Sequence, residues 1–146
     1  MSQANPTDRP SPPLGRRVVP MLCFLLSVLV AGCAGDGGVR VTADELFGAI
    51  RDGNAPTIVD VRSEGEYVDG HVPGAIHLPF YAVWNGHSRI ASGAQEPVVV
   101  YCEHGPRAGL AKFALWTVGY EKILYLDGHL AGWKKRGLPV EKGPGE

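Results

Sequence analysis

Four short runs of β-branched and aromatic residues recur along the chain: Thr57–Val61, Ile76–Leu78, Val98–Tyr101 and Ile123–Leu126. They are continuous rather than alternating, the pattern of strands buried on both faces of a parallel sheet. The segments between them carry helix signals. Thr42-Ala43-Asp44-Glu45 reads as a capping box that opens a helix to about Arg51, with Gly53-Asn54 as its stop. Ser63-Glu64-Gly65-Glu66 is a second capping box, starting a brief helix that ends at Gly70, and Val72-Pro73-Gly74 is a turn. Arg107 to Val118 is apolar apart from Lys112 and Thr117, which predicts a helix covered on most sides and ended by Gly119. His129 to Arg136 predicts a last helix. Lys134-Lys135-Arg136 places positive charge at its negative end, and Gly137 is its cap. Residues 81–95 are polar and irregular, with room for one helical turn.

Strands that alternate with helices make an α/β domain with a central, mainly parallel sheet flanked by helices. In such sheets ligands sit beyond the carboxyl ends of the strands. Asp60-Val61-Arg62 and Cys102 both stand at strand ends, so the fold reading puts them on one edge.

The N-terminal pattern is different. Residues 1–15 are rich in Pro and Ser and have no apolar period, so they are expected to be unstructured. Arg16-Arg17 then precede the apolar stretch Val18–Val30, which runs into Ala31-Gly32-Cys33. A basic patch, a short apolar segment and small residues make an export signal. Roughly 13 apolar residues are too few for an ordinary membrane span, which needs about 20. The Val-Ala-Gly-Cys ending resembles the lipobox of bacterial lipoproteins. That resemblance implies cleavage before Cys33, lipidation of its thiol and an exported protein held on a membrane by its acyl chains, since two chains anchor stably where one is marginal. The expected organisation is therefore a signal peptide over 1–32, a Gly-rich tether over 33–39, the domain over 40–142 and a tail over 143–146.

The 146 residues carry a formal net charge of -1 and are 45% hydrophobic, which fits one small domain plus this appendage. No charge bias or aromatic-interleaved basic patch points to nucleic acid. Loss of residues 1–32 would remove Arg9, Arg16, Arg17 and Asp8 and leave a net charge of -3, so lipid rather than surface charge is the expected anchor. Of the three cysteines, Cys23 would leave with the signal and Cys33 would be capped. Cys102 is then the single free thiol. With no CxxC pair and only scattered histidines, no zinc set is expected. A lone thiol in an oxidising compartment is either a buried structural cysteine or one that is used.

The residues after Cys102 favour use. The chain must turn from strand to helix within Cys102-Glu103-His104-Gly105-Pro106-Arg107. Gly105 relieves the steric demand of the turn, and Pro106 fixes φ for the first helical turn. Backbone N–H groups of such a loop can face the sulfur, the helix start adds partial positive charge, and Arg107 adds a full one. Lowering a thiol pKa from about 8.5 to about 6 corresponds to roughly 3 kcal/mol of thiolate stabilisation. These residues define a nucleophilic thiol with an anion seat, and they leave the anion open.

Several blocks narrow it. Asp60-Val61-Arg62 with Glu66-Tyr67, Gly70-His71-Val72-Pro73-Gly74-Ala75, Cys102 to Ala108, and Asp127-Gly128-His129 with Trp133 and Gly137-Leu138-Pro139-Val140 resemble, in order, the rhodanese family of sulfurtransferases over residues 40–142. The resemblance implies the three-layer rhodanese-like fold, with Cys102 as the sulfur-carrying nucleophile and Glu103, His104, Gly105, Pro106, Arg107 and Ala108 as the substrate seat. Asp60 and Arg62 would brace the loop by charge-assisted hydrogen bonds. His71 would support it through backbone groups and Glu66. The family implies transfer of a sulfane sulfur from thiosulfate, a polysulfide or a persulfide to cyanide or a thiol through a Cys102 persulfide, with no metal and no organic cofactor. The partners implied are a small sulfur-containing anion, a thiol acceptor and a protein acceptor.

Related phosphatases have a loop one residue longer, and the six residues here favour sulfur. Glu103 departs from the basic or neutral residue common after the cysteine and should repel a dianion such as thiosulfate. His129 stands where Gly is commoner, with little consequence expected. Trp84, Trp116 and Trp133 are expected to be packing residues. The alternatives are a non-catalytic sulfur carrier or binding module serving a partner protein, and a phosphatase or arsenate reductase on the same scaffold.

Overall fold

The computed structural model describes residues 39–144. The export segment, Cys33 and all of the tether before Val39 lie outside the described residues.

Five strands form one parallel sheet in the order β1-β5-β4-β2-β3. They are β1 (Arg40–Val41), β2 (Thr57–Asp60), β3 (Ile76–His77), β4 (Val98–Tyr101) and β5 (Ile123–Leu126). The helices are α1 (Ala43–Arg51), α2 (Glu64–Asp69), α3 (Val83–Gly86), α4 (Pro106–Thr117) and α5 (His129–Lys135). β1 has two residues and no apolar run of its own, so pattern reading passes over it. It forms because Arg40 and Val41 pair with Tyr125 and Leu126.

Strand alternation divides the core. Val98, Val100 and Cys102 face one side of the sheet, with Val59, Val61 and Tyr125, and the alanines 108, 111 and 114 of α4 pack there with Leu115. Val99 and Tyr101 face the other side, with Ile58, Leu126, Leu46 of α1, and Leu130 and Trp133 of α5. Three layers result. The central strands β2, β4 and β5 are therefore the apolar ones, as two-sided burial requires.

Both capping boxes form. The Thr42 hydroxyl accepts from the Glu45 N–H while Glu45 takes the Thr42 N–H, and Glu66 takes the N–H and hydroxyl of Ser63. Each satisfies donors that a helix start leaves without partners.

Two expectations change. Residues 80–89 are helical throughout, as two 3₁₀ turns flanking α3. Val83 and Ile90 enter the core, and Gly86 approaches Leu78 so closely that an added Cβ would lie 2.7 Å from it. Those apolar anchors, spread among polar residues, hold the coil wound. Second, α4 is not covered on most sides. Its small residues face the sheet, while Leu110, Phe113 and Trp116 are exposed by 57%, 56% and 64%. Alanine allows close approach to the sheet, which leaves the large side chains, three residues apart, on the outer face.

Candidate active site

The chain leaves β4 at Tyr101 and enters α4 at Pro106, so the intervening loop stands at the carboxyl edge of the sheet. Cys102 continues the alternation of β4 and turns toward α4, where Ala108 packs in the same cluster. Its side chain is therefore buried, with 1% exposure. The sulfur lies at the floor of the loop, not on the surface.

The loop is held by its carbonyls. Leu130 N–H donates to Cys102 O at 3.1 Å, and Ala131 N–H donates to Glu103 O at 3.3 Å. The start of α5 thus occupies the oxygen side of the loop. On the other side the Gly105 N–H donates to Cys102 Sγ at 2.9 Å. Gly105 reaches this geometry at φ 124, a value L side chains rarely adopt. Gly105 N–H is thus a main-chain donor aimed at the sulfur.

A buried charge network lies below. Asp60 is fully buried and accepts from Arg62 through its backbone N–H at 2.9 Å, Nε at 3.0 Å and Nη2 at 2.7 Å. Tyr101 hydroxyl donates to the same carboxylate at 2.9 Å and accepts from Val72 N–H at 3.0 Å. Arg62 then donates to Gly70 O at 2.7 Å and reaches Glu103 at 3.2 Å. Burial acts against the Arg62 charge, but the bonds to Asp60 and the charges of Asp60, Tyr101 and Glu103 hold its pKa above the ordinary value. Burial, then Asp60, pushes the Tyr101 hydroxyl well up, so it stays a donor. Tyr101 had no sequence signal beyond its place at the end of a strand.

Glu103 therefore points its charge at Arg62. The repulsion expected between Glu103 and a dianion is reduced by that pairing.

Arg107 donates to both oxygens of Glu66, at 2.6 and 2.8 Å. Its guanidinium binds α2 and also lies close enough to Cys102 to interact with the sulfur. The hydrogen bonds to Glu66 raise the Arg107 pKa against partial burial, with the Glu66 charge and the nearby Cys102 adding smaller contributions. In return Arg107 holds the Glu66 carboxyl well below the usual carboxylate range, with Ser63 helping against burial.

Other assigned residues fall differently. His71 does not use Glu66, which is taken by Arg107 and Ser63. Its Nδ1 meets Tyr67 O at 2.8 Å, its ring stacks on Tyr67 at 3.7 Å, and Nε2 lies 3.7 Å from Glu141. The His71 backbone bridges Glu141, so it secures the C-terminal segment against α2. Ala108, assigned to the seat, buries its methyl in the core. His104 and Pro106 are exposed at the rim, and Glu103, Gly105 and Arg107 are half-buried. Trp133 is fully buried and donates to Pro139 O at 2.8 Å. Trp84 and Trp116 are 52% and 64% exposed, so only one of the three tryptophans is a core residue. Trp84 donates to Thr117 at 2.9 Å.

His129 has more consequence than its sequence context implies. It is the single non-glycine at positive φ among the described residues, at 53°, and its ring lies against Gly105 of the loop.

A six-residue loop carrying a thiol from the edge of a parallel sheet into a helix, braced by a buried Asp–Arg pair, defines a class of domain. A family model for the rhodanese-like domain matches residues 42–136, and the chain belongs to that family. The chain is 30% identical over 101 residues to a protein named sulfurtransferase from Allochromatium vinosum, covering 69% of this chain and 92% of that one. It is 34% identical over 100 residues to an uncharacterized protein of Synechocystis, covering 68% of this chain and 55% of that one. A putative thiosulfate sulfurtransferase of Mycobacterium tuberculosis is 31% identical over 136 residues, with 73% of this chain and 48% of that one covered. The chain thus spans about half the length of two of these three relatives. Among solved structures, a protein from Anabaena superposes with a TM-score of 0.64 at 30% identity, covering 70% of this chain and 92% of that one.

Proposed function

We propose that this protein is a sulfurtransferase in which Cys102 carries the sulfur. The observation that carries the reading is the 2.9 Å hydrogen bond from Gly105 N–H to Cys102 Sγ, inside a loop whose carbonyls are already bound by α5. A donor fixed on the sulfur also suits the outer sulfur of a persulfide. The Cys102 thiolate attacks the sulfane sulfur of thiosulfate, a polysulfide or a persulfide. The new S–S bond forms as the donor's S–S bond breaks, and sulfite, a shortened polysulfide or a thiolate, according to the donor, leaves with the electron pair. Cyanide or a thiolate then attacks the outer sulfur, and the pair returns to Cys102. No oxidant is consumed.

The sequence at Val30-Ala31-Gly32-Cys33 supports an exported, lipid-anchored form of this enzyme, with Cys33 as its modified residue. Radiolabelled fatty acid incorporated by the wild type and not by Cys33→Ala would establish it, and equal labelling would refute it.

A protein acceptor is the second reading. The exposed Leu110, Phe113 and Trp116 on the helix that begins at the loop favour it. Intact-mass measurement after incubation with thiosulfate, and separately with polysulfide, tests the main reading. A gain of one sulfur atom is expected for the wild type and none for Cys102→Ser. Sulfur uptake by Cys102→Ser would overturn it, and so would no uptake by the wild type from either donor.

A further inference from the structure

Aromatic residues that the fold leaves uncovered gather at one end of α4. Phe113 and Trp116 are exposed there with ring centres 6.0 Å apart. Trp84 is exposed beside them: its indole N–H donates to Thr117 Oγ1 at 2.9 Å, in the last turn of the helix. That bond occupies the one polar group of the indole, so the exposed part of the ring is apolar.

This end of α4 is the one remote from the sulfur. The helix starts at the Cys102 loop and runs back to the amino edge of the sheet, where the turn after it sets Lys122 O on the N–H of Val98, the first residue of β4. The chain enters the domain at that edge. Val39 is exposed, its carbonyl accepts the Tyr125 N–H, and it borders a cleft of about 380 Å³ together with Lys112 of α4, Lys122 and Leu124. Lys112 and Trp116 stand one helical turn apart, as neighbours on the helix surface. The tether therefore joins the domain beside the aromatic face.

The length of that tether supplies the second argument. Val39 follows Cys33 by six residues, a reach of at most about 20 Å. Helix α4, with 12 residues, is itself about 18 Å long. A bilayer that holds acyl chains on Cys33 is within reach of the face. A linker this short brings lipid to it at an effective concentration on the order of millimolar, where even a weak apolar contact is occupied. Tryptophan is also the side chain enriched at the boundary between lipid and water.

We propose that Trp84, Phe113 and Trp116 form a docking surface for a lipid bilayer. The inference rests on the lipid-anchored reading of Cys33 and extends it from the tether to the domain. A protein acceptor must reach the Cys102 loop, so it calls for the other end of α4, where Leu110 is exposed. Docked by the far end, the domain turns its sulfur-carrying loop away from the membrane and toward soluble donors.

The test uses the full chain, purified from membranes in detergent and returned to phosphatidylcholine vesicles. All three tryptophans lie in the domain, and Trp133 is fully buried, so quenching by brominated acyl chains reports Trp84 and Trp116. Brominated vesicles should lower the emission by roughly half relative to plain ones. Trp116→Phe keeps an aromatic ring and should retain the quenching of Trp84. Phe113→Glu/Trp116→Glu should show less than about a tenth, because carboxylates resist transfer into lipid. Should the double variant not fold, Phe113→Glu alone decides. Flotation of the vesicles reads the anchor separately. A chain that floats without quenching, the result that a protein occupant of the face predicts, would overturn the proposal, and so would quenching that survives the glutamates. A chain that does not float and carries no lipid on Cys33 sinks the anchor reading instead. Quenching at excess vesicles then decides the face by itself: its presence keeps the docking surface, and its absence overturns it.

Discussion

Arg107 and Glu66 meet through two parallel hydrogen bonds, 2.6 and 2.8 Å long, which fasten α2 to the first turn of α4. The two residues are far apart in sequence, and each was legible separately: Glu66 as the third helical residue of a capping box, Arg107 as the last residue of the loop. Their pairing gives the loop an outer strut, while Asp60 and Arg62 give it an inner one.

The outer strut should respond to acid. Glu66 titrates below the usual carboxylate range because Arg107 and Ser63 stabilise its charged form. A depressed carboxyl stabilises the fold above the unfolded-state value near 4.3, and that contribution is lost as pH falls from there through the folded-state value. Glu66→Gln should therefore lower the urea midpoint at pH 7 and narrow its gap to the wild type at pH 3.5. A gap that stays constant between those pH values would show that the pair contributes nothing by charge.

The inner strut is buried, and its removal should cost more. Asp60→Asn leaves the Arg62 guanidinium, 2% exposed, without its buried carboxylate partner and with only the more exposed Glu103 opposite it. Breaking a buried pair from one side costs about 3–5 kcal/mol, to be read from urea unfolding monitored by tryptophan fluorescence. A change under about 1 kcal/mol would mean that Gly70 O and Glu103 suffice to hold Arg62.

Two tryptophans should differ sharply. Trp133 is fully buried, donates to Pro139 O and packs edge-on against Phe47 with ring centres 6.0 Å apart. Trp133→Ala should cost about 3–5 kcal/mol. Trp116→Ala, at a 64% exposed position, should change stability by at most about 0.5 kcal/mol. Thermal unfolding of the two variants side by side checks this, and equal losses would contradict the burial.

His129 should make the fold sensitive near neutrality. Burial, with the charges of Arg40 and His104, lowers its pKa below the usual histidine value, and Asp127 opposes this. The unfolded chain then binds the proton more readily, so stability falls as pH drops below about 6.5. The stability lost between pH 7 and pH 5.5 should be smaller in His129→Asn than in the wild type, as measured by urea midpoints at both values. An identical loss would assign the slope to the other histidines.

The strands were legible because two-sided burial leaves continuous apolar runs, and α1 and α2 because their capping boxes are local. The edge strand β1 was not, since two residues carry no pattern and their pairing with Tyr125 and Leu126 is tertiary. Nor was the outer face of α4, because an all-apolar run hides which side is covered; the alternation of alanines with large residues was the signal available. Cys102 and the loop were read from the sequence. The Tyr101 bridge and the place of His129 behind Gly105 were not, because both depend on contacts between segments distant in the chain. A histidine at a position where glycine is commoner was the available sign for His129.

The contact that seats the sulfur comes from peptide groups: one N–H faces it, and the opposing carbonyls are bound by α5. Side chains at 104 and 106 border this frame without building it. Substitutions there can reshape the border of the loop while the Cys102 sulfur keeps its place, so the rim of this scaffold can vary without disturbing the frame beneath it.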